Sequence, residues 1–196
     1  MHRLGSLSPL AFVAAFLLTA CTPPAERPGA QAGVSTDEFS KTIDIVGPRE
    51  VHNPFFGVKD FYRLVTHIDK RTHAYAHVIE LEVAYNGKFY FFRYAADDTS
   101  EALRLIPVKR ERNTLIGDRV ESFDILVPDA ALRAHAASGY RVRISARDGT
   151  YYTIEISPAM IAAQFEQLAK VLGPGAALRL GAPPPIPGDN PTLQPK

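Results

Sequence analysis

A chain of 196 residues, 46% apolar and 10% aromatic, with a formal net charge of +1, is long enough for one core of ordinary domain size. It carries no charge excess that would draw nucleic acid. Its single cysteine rules out an intrachain disulfide, so a packed core has to supply the stability.

Residues 1–20 read as a secretory signal: Arg3 in a short basic start, an apolar stretch from Leu10 to Leu18, and small residues before a cut. That stretch is about half of what a membrane-spanning helix needs, and Pro23-Pro24 follow it closely. The one cysteine, Cys21, closes the run Leu18-Thr19-Ala20-Cys21, which resembles the lipobox of bacterial lipoproteins. The resemblance implies cleavage before Cys21, a thioether-linked diacylglycerol on its sulfur and, in many Gram-negative species, a further acyl chain such as palmitate on the new amino group. At about 0.8 kcal/mol per buried methylene, two or three such chains make a lasting membrane anchor. Thr22 rather than aspartate follows the cysteine, which in the same resemblance implies the outer membrane, with the domain facing the periplasm. Without Arg3 the remaining 21 basic and 21 acidic residues balance.

Residues 21–37 are rich in Pro, Ala, Gly and Gln and read as a flexible tether. Residues 173–196, with Pro183-Pro184-Pro185 and Pro187, Pro191 and Pro195, read as a disordered tail. A single β-rich domain is expected over 38–172.

Within that domain, strands are expected at Lys41 to Val46 and Asp60 to Asp69. From Tyr75 to Tyr85 the alternation is clean, with Tyr75, His77, Ile79, Leu81, Val83 and Tyr85 on one face. Asn86-Gly87 suits a two-residue type I′ turn, which would set Val83 beside Tyr90, Leu81 beside Phe92, Ile79 beside Tyr94 and Glu80 beside Arg93. Strands are also expected at Ala102 to Arg112 and Val120 to Val127, then a short helix from Asp129 to about Ala137, capped by Asp129. A second hairpin runs from Tyr140 to Ile156. A two-residue turn on Asp148-Gly149 would oppose Val142 to Glu155, whereas a three-residue loop, Arg147-Asp148-Gly149, brings Tyr140, Val142 and Ile144 opposite Ile156, Ile154 and Tyr152. After Ser157-Pro158 a longer helix places Ile161, Phe165, Leu168 and Leu172 on one side and ends at Gly173-Pro174. The fold class is therefore mainly β (α+β): an antiparallel β-sandwich or half-barrel with a short helix and a C-terminal amphipathic helix.

His52, His67, His73 and His77 are the candidate metal ligands. On one strand His73 and His77 would be separated by about 13 Å of rise, so a centre would need His67 with His73 or His77 from neighbouring strands. Phe89 and Phe91 are assigned to the face opposite Tyr90, Phe92 and Tyr94. They form a candidate partner-binding surface unless the C-terminal helix or a second sheet covers them. Lys109, Arg110 and Arg112 read as a solvated strand edge. There is no Gly-x-Ser-x-Gly elbow, phosphate loop or dinucleotide fingerprint. The expectation is a lipid-anchored, non-catalytic binding or assembly accessory, needing no cofactor or metal and meeting an envelope protein rather than nucleic acid. The alternatives are a metal-dependent envelope hydrolase or metal-binding protein, and a carrier of small molecules or lipid.

Overall fold

A computed structural model describes residues 32–52, 58–112 and 118–173. The expected signal, Cys21 and residues 174–196 lie outside the described residues. Among those described, the elements in chain order are β1 (Gly33–Thr36), β2 (Thr42–Val46), β3 (Glu50–His52), β4 (Val58–Asp69), β5 (Tyr75–Tyr85), β6 (Phe92–Asp97), β7 (Ala102–Leu103), β8 (Leu105–Arg112), β9 (Arg119–Val127), α1 (Asp129–Ala134), β10 (Tyr140–Ala146), β11 (Tyr151–Ile156) and α2 (Pro158–Leu172). Seven strands form a large antiparallel sheet in the order β1-β2-β4-β5-β9-β8, with β3 also pairing β4; four form a small sheet in the order β11-β10-β6-β7.

The two sheets face one another across a core of Leu64, Leu81, Val83, Phe92, Phe123, Ile125, Val142, Ile144 and Ile154, among others. This is the sandwich architecture that alternating sequences with one apolar face dictate. β4 still meets the small sheet, Tyr62 donating to the Glu155 carbonyl at 3.0 Å, but beyond it the cover changes. There α2 takes the small sheet's place, packing against β2 and β4 and closing a second cluster of Ile45, Ile68, Tyr75 and Leu168. Ser157 caps α2 by accepting from the Met160 N–H at 3.2 Å, and Pro158 stands at its start.

The second hairpin folds in the expected register: Tyr140, Val142 and Ile144 pair with Ile156, Ile154 and Tyr152. Ala146 N–H donates to the Thr150 carbonyl at 2.8 Å, closing the three-residue loop, and Gly149 takes the left-handed position at φ +88°.

The first hairpin is corrected. Both sides of β5 are occupied in the large sheet, by β4 from Val58 to Ile68 and by β9 from Arg119 to Val127. After the turn at Asn86-Gly87 the chain leaves that sheet, and β6 joins β10 and β7 in the small one. Leu81, Val83 and Phe92 do share a cluster, but across the sandwich rather than side by side. Glu80 accordingly pairs with Arg63 of β4 at 2.6 Å and not with Arg93. A bulge in β6 against Ser145/Ala146 leaves Arg93 and Tyr94 both exposed, so Tyr94 is on the surface and not in the core.

Other boundaries shift. The last residues of the segment read as a tether form β1, and Ala32 is buried. The expected Ala102–Arg112 strand is split at Arg104, where the chain passes from β7 of the small sheet to β8 of the large one. The expected cap at Asp129 is displaced: Pro128 holds that position and Asp129 is the first helical residue, its carboxylate used elsewhere. Gly47 bends the chain so that β2 and β3 pair with successive parts of β4; a Cβ there would lie 2.6 Å from the Leu64 carbonyl oxygen.

Candidate functional site

The crossover from β5 to β6 presents the two phenylalanines singled out above. It is held from beneath by a carboxylate at a core position. Glu121, on the inward face of β9 with Phe123 and Ile125, has no exposed surface. It accepts from the Tyr85 hydroxyl, from the Phe91 N–H at 3.1 Å and from Arg110 Nε at 2.8 Å. The Tyr85 oxygen in turn accepts from the Tyr90 N–H at 3.0 Å. Two backbone donors that would otherwise be orphaned between the sheets are thus satisfied. Burial, and then the bond to Glu121, push the Tyr85 hydroxyl far above the ordinary tyrosine range. A buried carboxylate with this many partners is expensive to disturb, since removing one leaves the charge uncompensated.

The latch fixes an unusual backbone. Phe91 has φ +58°, the left-handed region that a bulky side chain occupies only under strain. Its ring is 44% exposed, tilted against Phe89 at 5.7 Å between ring centres. Arg110 stands 5.3 Å from the Phe91 ring and Arg119 the same distance from that of Phe89. α2 lies over β2 and β4, away from these rings, and Phe91 stays exposed.

A second polar group reaches from the large sheet to both helices. Gln164 of α2 donates to the Ile45 carbonyl at 2.8 Å and to Thr66 Oγ1 at 2.7 Å; Thr66 meets His77 Nδ1 at 2.8 Å, and His77 Nε2 meets Asp129 Oδ1 at 3.1 Å. An ionised Asp129 can only accept, so His77 Nε2 donates to it, and with the proton on Nε2 the ring's Nδ1 accepts from the Thr66 hydroxyl. Arg133 Nε adds a bond to Asp129 at 2.6 Å and Tyr75 another at 3.1 Å. Burial alone would raise the Asp129 carboxyl, but the hydrogen bonds from His77 and Arg133 hold it far below the usual carboxylate range.

Hydroxyl, imidazole and carboxylate stand here in the order used for nucleophilic catalysis. Thr66, however, has no exposed surface and its oxygen is taken by Gln164. No acyl group can reach it, so the arrangement clamps α1 and α2 to the sheet. A cleft of about 330 Å³ touches His77 and Asp129 from the side of Leu103 and Leu126 without including Thr66.

The other sequence candidates are dispersed. His67 alternates with Thr66 and so points to the opposite face of the sheet from His77; there it meets Asp44 Oδ1 at 2.8 Å. His73 is an exposed turn residue at φ +60° between β4 and β5. His52 pairs with Asp60 through the β3–β4 ladder. Among the described residues no three His, Cys, Asp or Glu side chains gather as metal ligands. The expected basic edge is β8, the outermost strand of the large sheet, interrupted by a bulge between Pro107 and Lys109.

The outer face of the large sheet holds an open groove of about 510 Å³. Its charges are largely cancelled in place: Arg63 pairs with Glu80 and Arg49 with Glu82 at 3.4 Å, while Arg49 also covers the Phe61 ring at 4.1 Å. Asp124 is pushed up to about 6, by burial first and then by Glu80.

No helix among the described residues is long and apolar enough to cross a membrane. The chain matches no protein-family model, and neither the curated proteins nor the solved structures provide a match.

Proposed function

We propose that this is a lipid-anchored envelope protein that acts by binding, and that the Phe89–Phe91 crossover is the surface it offers to a protein partner. The anchor reading rests on Cys21 in its lipobox-like run. The binding reading rests on one observation: a half-exposed phenylalanine is held in a left-handed conformation by buried Tyr85 and Glu121, with Arg110 closing the latch from the surface. Such strain costs of order 1–3 kcal/mol. Glycine or asparagine would meet the same turn without it, so closure of the turn does not account for the aromatic ring. Paired aromatic rings with arginine over their faces have the composition of an interface hot spot. The complementary surface is an apolar pocket that takes the exposed Phe91 ring.

The test has two parts. Metabolic labelling with palmitate marks the wild-type chain and not Cys21→Ser, and the variant leaves the membrane fraction; an unlabelled wild type removes the anchor. Affinity capture from detergent-solubilised envelopes recovers a partner with the wild type that is lost with Phe91→Gly. Equal recovery by both moves the binding surface elsewhere.

A further inference from the structure

The outer face of the small sheet is a second surface, independent of Phe91. Tyr94 of β6, Ser145 of β10 and Tyr151 of β11 form one row across three strands. The tyrosines are 59% and 60% exposed, with only the small, half-buried Ser145 between them. Two strand spacings, roughly 9–10 Å, separate their backbones, close to the length of one disaccharide repeat of a β-1,4-linked glycan.

Cations surround the row. The β6 bulge turns Arg93 outward beside Tyr94, and bulges of this kind re-aim side chains at functional surfaces. Arg143 lies 5.8 Å from the Tyr151 ring centre in the next row, with Arg141 beyond it and Arg147 in the loop. None of these four makes an ion pair among the described residues. The acidic groups nearby are Glu155, opposite Arg141, and Asp148, which faces Lys88 at 3.9 Å.

We propose that this face binds an acidic β-1,4-linked glycan, the chemical class of the peptidoglycan strand. Sugar rings would stack on Tyr94 and Tyr151, and carboxylates borne by the strand would pair with Arg93 and Arg143. Flat tyrosine faces tipped with hydroxyls suit the apolar face and hydroxyl rim of a pyranose. Guanidinium groups that make no ion pair among the described residues suit carboxylates. A bilayer suits the surface less, because the row Tyr94–Ser145–Tyr151 offers no aliphatic side chain to insert.

The experiment is co-sedimentation of the whole chain, purified in non-ionic detergent, with peptidoglycan sacculi, with sacculi whose carboxylates have been amidated, and with chitin as a neutral β-1,4 glycan. Wild type sediments with sacculi, and Phe91→Gly does the same. Retention falls about tenfold or more for Tyr94→Ala/Tyr151→Ala, for Arg93→Gln/Arg143→Gln and on amidated sacculi, and chitin retains less than sacculi. Circular dichroism checks that these exposed-site variants stay folded. The proposal is overturned if wild type remains in the supernatant or if the tyrosine double variant sediments like wild type. Release from sacculi when phosphatidylglycerol is added to the micelles would instead assign the face to anionic lipid.

Discussion

Replacing Phe91 by alanine and, separately, by glycine tests the strained crossover with an opposite sign from ordinary expectation. Both changes remove a ring that is 44% exposed, about half of the ~1.5–3 kcal/mol that a fully buried phenylalanine contributes. Both also remove the Arg110 contact at 5.3 Å, about 0.5 kcal/mol at a partly exposed site. Alanine keeps the left-handed backbone at φ +58° and its cost of roughly 1–2 kcal/mol. Glycine removes that cost, offset by about 0.5–1 kcal/mol of extra freedom in the unfolded chain. Phe91→Ala should therefore sit about 1.5 kcal/mol below wild type, with Phe91→Gly above it and within about 1 kcal/mol of wild type. At a right-handed or extended residue the order reverses, alanine standing above glycine by about 0.5–1 kcal/mol. Urea denaturation at constant m resolves this difference in midpoint. An alanine variant more stable than the glycine variant would refute the strained crossover, as would a loss of ~3 kcal/mol or more in both, the cost of a core phenylalanine.

Gln164→Leu should lower stability by roughly 2 kcal/mol by urea denaturation, since the Ile45 carbonyl and Thr66 hydroxyl lose their buried donor; an unchanged midpoint would contradict the clamp. The depressed Asp129 carboxyl contributes stability that is present above its unfolded pKa of about 4 and lost as pH falls through its lower folded value. Asp129→Asn should accordingly lower the midpoint at neutral pH and flatten its decline below pH 4, and a parallel decline in both proteins would count against the assignment. Asp124, raised to about 6, acts in the other direction: its contribution is present below its unfolded pKa of about 4 and lost as pH rises through 6. Asp124→Asn should remove that loss and leave the protein more stable than wild type at pH 7–8 by thermal melting; a less stable variant would show the carboxylate to be a favourable partner.

The C-terminal hairpin was legible because its constraints are local: loop length, apolar parity and the Arg141–Glu155 pair all select one register, which is the one formed. The Tyr75–Tyr94 segment shows what alternation leaves open. It tells which residues of a strand face the core, but not whether the partner lies beside the strand or across the sandwich. Val83 and Phe92 satisfy either arrangement, and the decision belongs to β4 and β9, whose pairing with β5 extends over more residues. One shifted residue at Arg93 then reverses the parity of Tyr94.

Phe89 and Phe91 are visible as surplus aromatics, whereas the residues that position them are remote in sequence. The signal was a charged residue at a core-facing position: Glu121 shares its parity with Phe123, Ile125 and Val127. In the same way Gln164 interrupts the buried face formed by Ile161 and Leu168. The dispersal of the histidines also followed from parity, since His67 and His77 belong to adjacent antiparallel strands in which Thr66, not His67, pairs with His77.

The most direct test of the binding account is in-cell photo-crosslinking with benzoylphenylalanine at position 91, in the otherwise wild-type chain and in Cys21→Ser. The account predicts one discrete, light-dependent adduct with an envelope protein, absent when the probe is placed at the exposed Val51 and diminished in Cys21→Ser. No adduct at position 91, or the same adducts at both positions, would contradict it.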